Sequence, residues 1–376
     1  MVWHVPLADM DYGEDEEQAV LDVLRSKWLT MGEVTQTFEA EFCRMTGSKH
    51  TIAVANGTLA LHLACLAVGV GPGDEVIVPS LSFVATSNAV LYCGASARFA
   101  EVVGAEDLTI DPQSIEMLIT PKTKAIIVMH YAGFPCRMHE ILEISDKHGI
   151  PVIEDAAHAP GAALEDKALG TWGDIGCFSF FSNKNLSTGE GGVLTCNRDD
   201  LATNLRLLRS HGMTSLTYDR HKGHAFSYDV IALGYNYRID EIHSALGIQQ
   251  LRKLERNNAR RREITHTYWK ALKSTGIGLP FEAARVGQPS HHIFPVLLPP
   301  HVDRHIFMSS LRDAGIQSSI HYRPIHTFSY YRDKFGAVSL PLTEDIGRRE
   351  VTLPLFPTMT DEQLELVIEN VKALVV

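Results

Sequence analysis

The sequence predicts an α/β protein in two domains. The large one, residues 1–245, is built on a mostly parallel central sheet flanked by helices, and a smaller C-terminal α+β domain spans residues 246–376. Two observations predict this. Over residues 51–195, short β-branched runs (TIAVA, EVIVP, AIIVMH and IPVIED) alternate with helical patterns such as residues 59–68 and 138–148. That is the rhythm of strands buried on both faces by crossover helices. After Asp240 the rhythm stops. IDEIHSALGIQQLRKLERNNARRREITHTYWKAL reads as one long helix, followed by a strand in HHIFPVLLP, a helix over residues 303–314 and a last helix after Asp361.

Bulk properties narrow the function. The chain has 376 residues, 45% hydrophobic and 21% charged, which is enough for a large core. A net charge of -11 with no Lys/Arg-rich run leaves no footprint for nucleic acid, so a small-molecule substrate is expected. The longest apolar stretches, such as residues 125–129, fall far short of the ~20 residues that cross a bilayer. The acidic start MVWHVPLADMDYGEDEE lacks the marks of a secretory signal, so a cytoplasmic location is expected. Six widely spaced cysteines without a Cys-x-x-Cys pair read as buried free thiols. The 18 histidines include suggestive spacings at His221/His224, His291/His292 and His301/His305, but no cysteine or carboxylate set completes them, and no metal is expected.

In parallel sheets ligands bind at the carboxyl ends of the strands. At the end of TIAVA, the segment NGTLALHLACLAVG turns from strand to helix, leaving the amides of Gly57, Thr58 and Leu59 to cradle a phosphate, with a hydroxyl from Thr58. Alone, it also fits an ordinary capped helix. Asp155 follows the apolar strand of PVIE, where an inward carboxylate needs a cation; a protonated pyridine nitrogen, an ion-pair partner and a metal all satisfy it. His158, three residues on, stands near the same place as a ring or hydrogen-bond partner or as a structural histidine. The segment GDIGCFSFFSNKNLSTGEGGVLT carries the strongest signal. A strand over residues 175–181 delivers Ser179 and then Lys184 into a loop of small polar residues, where a lysine could become a nucleophilic amine of lowered pKa; a single lysine also fits a solvated charge.

These segments, together with KWLTMGEVTQTFEAEF, VGPGDEVIVPSLSFVATSNAV, TPKTKAIIVMHYAG, LGYNYRIDEIHSA and IHYRPIHTFSYY, resemble the DegT/DnrJ/EryC1/StrS family of sugar aminotransferases over nearly the whole chain. The resemblance implies fold type I and pyridoxal 5′-phosphate (PLP) as cofactor. Lys184 falls on the family's Schiff-base lysine and Asp155 on the partner of the pyridine nitrogen. Gly57, Thr58 and Ser179 fall on phosphate-binding positions, Phe83 on the aromatic that stacks on the cofactor, and His158 near the cofactor hydroxyl. Asn236 matches an asparagine that reaches the phosphate in the neighbouring subunit, which implies a homodimer with shared active sites. His321, Tyr322 and Arg323 resemble the segment that closes over the sugar nucleotide. Arg220, in the basic stretch YDRHKGH, could meet a diphosphate or lie in a solvated loop.

The activity implied is transfer of an amino group from glutamate to a nucleotide-linked keto sugar. The motifs lie nearest to enzymes acting at carbon 4 of dTDP- or UDP-linked sugars. Transamination at carbon 3 or of a cyclitol ketone, a sugar dehydratase of the same fold and a non-catalytic ligand sensor stand as alternatives. Lys184 argues against the dehydratase, which has His at that position.

Overall fold

A computed structural model of the chain describes residues 3–214, 227–283 and 287–375. Helices α1 (Glu14–Ser26) and α2 (Glu33–Thr46) come first. The expected alternation follows, with β1 (His50–Val54), α3 (Gly57–Ala67), β2 (Glu75–Pro79), α4 (Ala85–Tyr92) and β3 (Ser96–Ala100). A small hairpin of β4 (Val102–Gly104) and β5 (Asp107–Ile110) leads to α5 (Pro112–Leu118), β6 (Thr123–Met129), α6 (Met138–His148) and β7 (Val152–Asp155). A second small hairpin, β8 (Ala163–Leu164) with β9 (Lys167–Ala168), precedes β10 (Ile175–Ser179), β11 (Gly192–Cys196) and α7 (Asp199–Arg209).

Seven strands form one sheet in the order β1-β11-β10-β7-β6-β2-β3. Within it, β11 alone runs against the others, pairing antiparallel with β1 and β10. The central strands carry apolar runs because both faces are covered: Ile126, Ile127, Val128, Val152 and Ile153 have no exposed surface. Register sets up the site. Asp155 stands opposite Met129 of β6 and Cys177 of β10, so three adjacent parallel strands end side by side. Next to them, Gly192 faces both Ser179 and Val54, which brings the start of α3 against the end of β10.

The long helix α8 (Glu241–Leu272) carries the chain into the second half. Its buried Glu241 accepts hydrogen bonds from the amides of Gly32 (2.8 Å), Val34 (2.9 Å) and Thr35 (2.9 Å), a carboxylate at the positive end of α2. Beyond it lie β12 (Phe294–Leu297), α9 (Arg304–Asp313), α10 (Ser329–Phe335), α11 (Pro341–Arg349), β13 (Glu350–Leu353) and α12 (Asp361–Val375). β12 pairs antiparallel with β13. Ile264 and Tyr268 of α8, Phe294, Phe307, Leu311, Val351 and Val367 share one apolar cluster, which also takes in Tyr131 and Phe134 from the end of β6 and Val5 from the N-terminal segment. That segment is tied to the C-terminal half: Val5 bridges Ile316, and the Leu355 amide donates to the Leu7 carbonyl.

Five of the six cysteines are buried, Cys43 is half-buried, and all six are free. Among the described residues no helix is long and apolar enough to cross a membrane.

Candidate active site

A cavity of about 380 Å³ opens at the carboxyl ends of β1, β6, β7 and β10, lined among others by Gly57, Thr58, Phe83, Asp155, His158, Ser179, Lys184, His321 and Tyr322. Each wall follows from local structure. At the start of α3 the Asn56 side chain accepts a hydrogen bond from the Leu59 amide (3.0 Å). The expected cradle of three free amides is therefore smaller: Leu59 is capped from within the chain, and Gly57 and Thr58 remain as the first two amides of the helix. Gly57 is required by close approach, since a Cβ there would lie 2.7 Å from the Ser179 Cβ.

The alternation of β7 sends its two carboxylates to opposite faces. Glu154, wholly buried, is satisfied by His130 Nε2 (2.9 Å) and the amides of Gly170 (2.7 Å) and Gly173 (2.6 Å), and serves structure. Asp155 faces the cavity. Thr86 Oγ1 donates to its Oδ2 (2.8 Å) and the Ala157 amide to its Oδ1 (3.2 Å). Burial pushes the Asp155 carboxyl above the usual range, against the pull of these two donors and of the Lys184 charge.

Lys184 sits in a loop closed on itself by the Phe180 amide donating to the Gly191 carbonyl (2.8 Å) and the Thr188 amide to the Phe180 carbonyl (2.9 Å). Its amine reaches the cavity, where burial draws it from 10.5 down to about 8 while the Asp155 carboxylate pulls it up. On the far wall, Tyr322 meets His158 Nε2 through its hydroxyl (2.9 Å). The His158 Nδ1 accepts from the Ala132 amide (3.3 Å), so the ring proton lies on Nε2 and is donated to Tyr322. The hydroxyl hydrogen of Tyr322 is thereby left for the cavity. Burial, with Lys184 and His321 nearby, holds His158 well below its usual value and neutral.

Two substrate-side expectations part company. His321 and Tyr322 line the cavity; the His321 amide donates to Glu350 (2.8 Å), its ring bonds Thr352 (2.9 Å), and Tyr131 donates to its carbonyl. Arg323 is turned away. Its guanidinium donates to Thr327 Oγ1 (3.0 Å) and the Thr327 carbonyl (2.8 Å) and lies over the Phe328 ring, exposed to solvent and off the cavity wall. Asn236 is exposed and outside the cavity, in a bridge with Ser210. Arg220 lies outside the described residues. Two neighbours were not visible in the sequence: Thr86 on Asp155, and His292, whose Nε2 is 3.5 Å from Lys184 Nζ. His292 stood out only as half of a histidine pair.

The model of the DegT/DnrJ/EryC1/StrS aminotransferase family matches residues 10–372. The chain belongs to this family. Solved structures similar to this aminotransferase include Helicobacter pylori PseC, an aminotransferase involved in the biosynthesis of pseudoaminic acid (29% identity, 99% of each chain covered, TM-score 0.92). The sugar aminotransferase CalS13 from Micromonospora echinospora is also similar, at 30% identity over 98% of this chain and 99% of that one, with a TM-score of 0.90. A third is the putative sugar aminotransferase Spr1654 from Streptococcus pneumoniae in its PLP form (27% identity, 98% of each chain, TM-score 0.92). The fold is that of the fold type I aminotransferases, and the enzyme is PLP-dependent. Its cavity fits the cofactor: two helix-terminal amides and a serine suit a phosphate, a buried carboxylate suits a pyridinium, and a lysine of lowered pKa suits a carbonyl.

Proposed function

We propose that this aminotransferase transfers the amino group of glutamate to the keto carbon of a nucleotide-linked sugar, at carbon 4 of a dTDP- or UDP-linked 4-keto sugar. The observation that carries this reading is the convergence of Lys184, Asp155 and Tyr322 on one cavity. Sugar aminotransferases among the similar structures support the substrate class. Phe83 and Phe181, about half exposed on the cavity lining, offer aromatic faces to a bound ring.

When bound, PLP supplies the electron sink that stabilises the charge left on carbon after proton removal. Gly57, Thr58 and Ser179 would hold its phosphate, Phe83 would lie against its ring, and Asp155 would pair with the charge of the pyridine nitrogen. Lys184 moves the proton. An amine titrating near about 8 both takes a proton from the donor's α-carbon and returns one with little driving force lost. Glutamate leaves as 2-oxoglutarate, and the same residues act in reverse on the keto sugar, which leaves as the amino sugar. His158 fixes the Tyr322 hydroxyl so that its hydrogen points to the substrate side. Leu61, Met129 and Cys177 give the cavity an apolar wall.

Asn236 completes the site of a second subunit in a homodimer. An exposed apolar run beside it, Tyr228, Val230, Ile231 and Leu233, supports a face covered by another copy. The reaction is tested by incubating the protein with PLP, glutamate and 4-keto-6-deoxy sugars linked to dTDP or UDP, with mass detection of products. The amino sugar nucleotide and 2-oxoglutarate should form together. Amination of a free cyclitol ketone with neither nucleotide sugar consumed would overturn the substrate assignment.

A further inference from the structure

His292 begins the segment leading into β12, more than 100 residues from Lys184 in sequence, yet its Nε2 lies 3.5 Å from Lys184 Nζ. The state of that nitrogen can be read from its neighbours. Asn258 donates through Nδ2 to the Pro160 carbonyl (3.0 Å), which can only accept, so Asn258 Oδ1 is the acceptor for Asn185 Nδ2 (2.8 Å). Asn185 Nδ2 also donates to the Ser290 carbonyl (2.8 Å), which leaves Asn185 Oδ1 to face His292 Nδ1 (2.8 Å) as an acceptor. Two backbone carbonyls thus fix both amides, and the amides place the ring proton of His292 on Nδ1. Nε2 is left as a bare lone pair aimed at the lysine.

The ring has little freedom to change this. His292 is buried, its carbonyl is clamped by Arg261 (3.1 Å), and its ring packs 4.2 Å from that of His158. The titratable and charged groups around it are His158, Lys184, Arg261 and His321, and burial with these neighbours holds His292 well below its usual value. It stays neutral while Lys184 titrates.

We propose that His292 is a positioning residue for the Lys184 amine: its Nε2 accepts a hydrogen bond from Nζ and turns the rest of the amine toward the cofactor and substrate. With one N–H committed to His292, the lone pair of the neutral amine points away from the imidazole. With the amine charged, the same bond supports the ammonium against burial and, with Asp155, keeps its titration close to working pH. The inference rests on Lys184 being the reactive lysine.

The test reads Lys184 directly. In the full-length protein stripped of PLP, trace acetylation with isotope-labelled acetic anhydride across a pH series, followed by mass analysis of the Lys184 peptide, gives the midpoint of the amine. His292→Leu should lower that midpoint by about one pH unit, a tenfold loss of proton affinity. His292→Gln, which can return an amide oxygen near the place of Nε2, should restore it. In the PLP-loaded protein, His292→Leu should lower kcat about tenfold with the KM for glutamate little changed. An unmoved midpoint in folded His292→Leu overturns the proposal, as does a shift that His292→Gln fails to reverse. Should His292→Leu not fold, Asn185→Ala leaves the imidazole in place but frees its tautomer; a lowered midpoint supports the proposal and an unmoved one overturns it. Full turnover by Lys184→Ala would instead refute the reactive-lysine assignment, an outcome the acetylation midpoint does not imitate.

Discussion

Replacing Lys184 with methionine should stabilise the PLP-stripped protein while abolishing turnover. Methionine keeps most of the apolar stem and removes the charge. The amine titrates at about 8 in the folded protein against 10.5 unfolded. Below pH 8 both states hold the proton, and the folded state bears the whole penalty of a buried ammonium, roughly 3 kcal/mol at 1.36 kcal/mol per pH unit. Between the two values the unfolded chain still holds a proton that the folded one has released, so stability rises with pH. Above 10.5 neither state is charged, and the penalty is gone. The attraction of Asp155 is already contained in the value of about 8; methionine also breaks the contact with His292, which offsets about 1 kcal/mol. The expected net gain is about 2 kcal/mol at neutral pH, falling toward zero or below by about pH 10.5. Urea unfolding of the wild type and Lys184→Met at both pH values measures it, because the other titrating groups cancel in the difference. A variant no more stable at neutral pH, or a gain independent of pH, would refute the buried-amine reasoning.

The added Cβ of Gly57→Ala would sit 2.7 Å from the Ser179 Cβ, so α3 and β10 must separate; PLP affinity, measured by fluorescence titration, should fall at least about tenfold, the scale of a binding group displaced by a fraction of an ångström. Asp155→Asn loses the charge and places an amide NH2 against one of two donors, Thr86 Oγ1 or the Ala157 amide. It should lower kcat by about two orders of magnitude or more. Unchanged kcat would remove Asp155 from the site. If Asn236 serves the partner subunit, mixing inactive Lys184→Ala with an inactive Asn236→Ala variant should restore part of the activity after subunit exchange. No recovery from verified mixed dimers would contradict shared sites.

Much of the large sheet was legible because buried parallel strands announce themselves as short apolar runs, and the loops that follow them carry Gly57, Asp155 and Lys184 in order. β3 and β11 were harder. SARFA exposes Ser96 and half-buries Arg98 at the sheet edge, and GVLTC follows the Lys184 loop so closely that it reads as the loop's continuation. The helices before residue 50 show no sequence tie to the Glu241 that caps α2, more than 200 residues away.

Within the site, positions fixed by strand ends were readable, and partners fixed by tertiary contact were not. Thr86 reaches Asp155 from α4, and His292 reaches Lys184 across the long helix; neither pairing leaves a periodic trace. The Leu59 amide is taken by the Asn56 side chain, the capped-helix arrangement that NGTLALHLACLAVG also fits. The resemblance of IHYRPIHTFSYY places Arg323 with His321 and Tyr322, whereas its side chain is held by Thr327 and Phe328, contacts that no motif announces.

The most direct test of the account is the absorbance of the purified, PLP-loaded protein before and after glutamate, and again after a dTDP-linked 4-keto-6-deoxy sugar. The visible band of the bound cofactor should disappear with glutamate and return with the keto sugar, and Lys184→Ala should lack the band of the unmixed enzyme. Loss of the band with glutamate and no return would reject that sugar. A wild type that shows no band after addition of PLP, or a Lys184→Ala variant that cycles like it, would contradict the central claim.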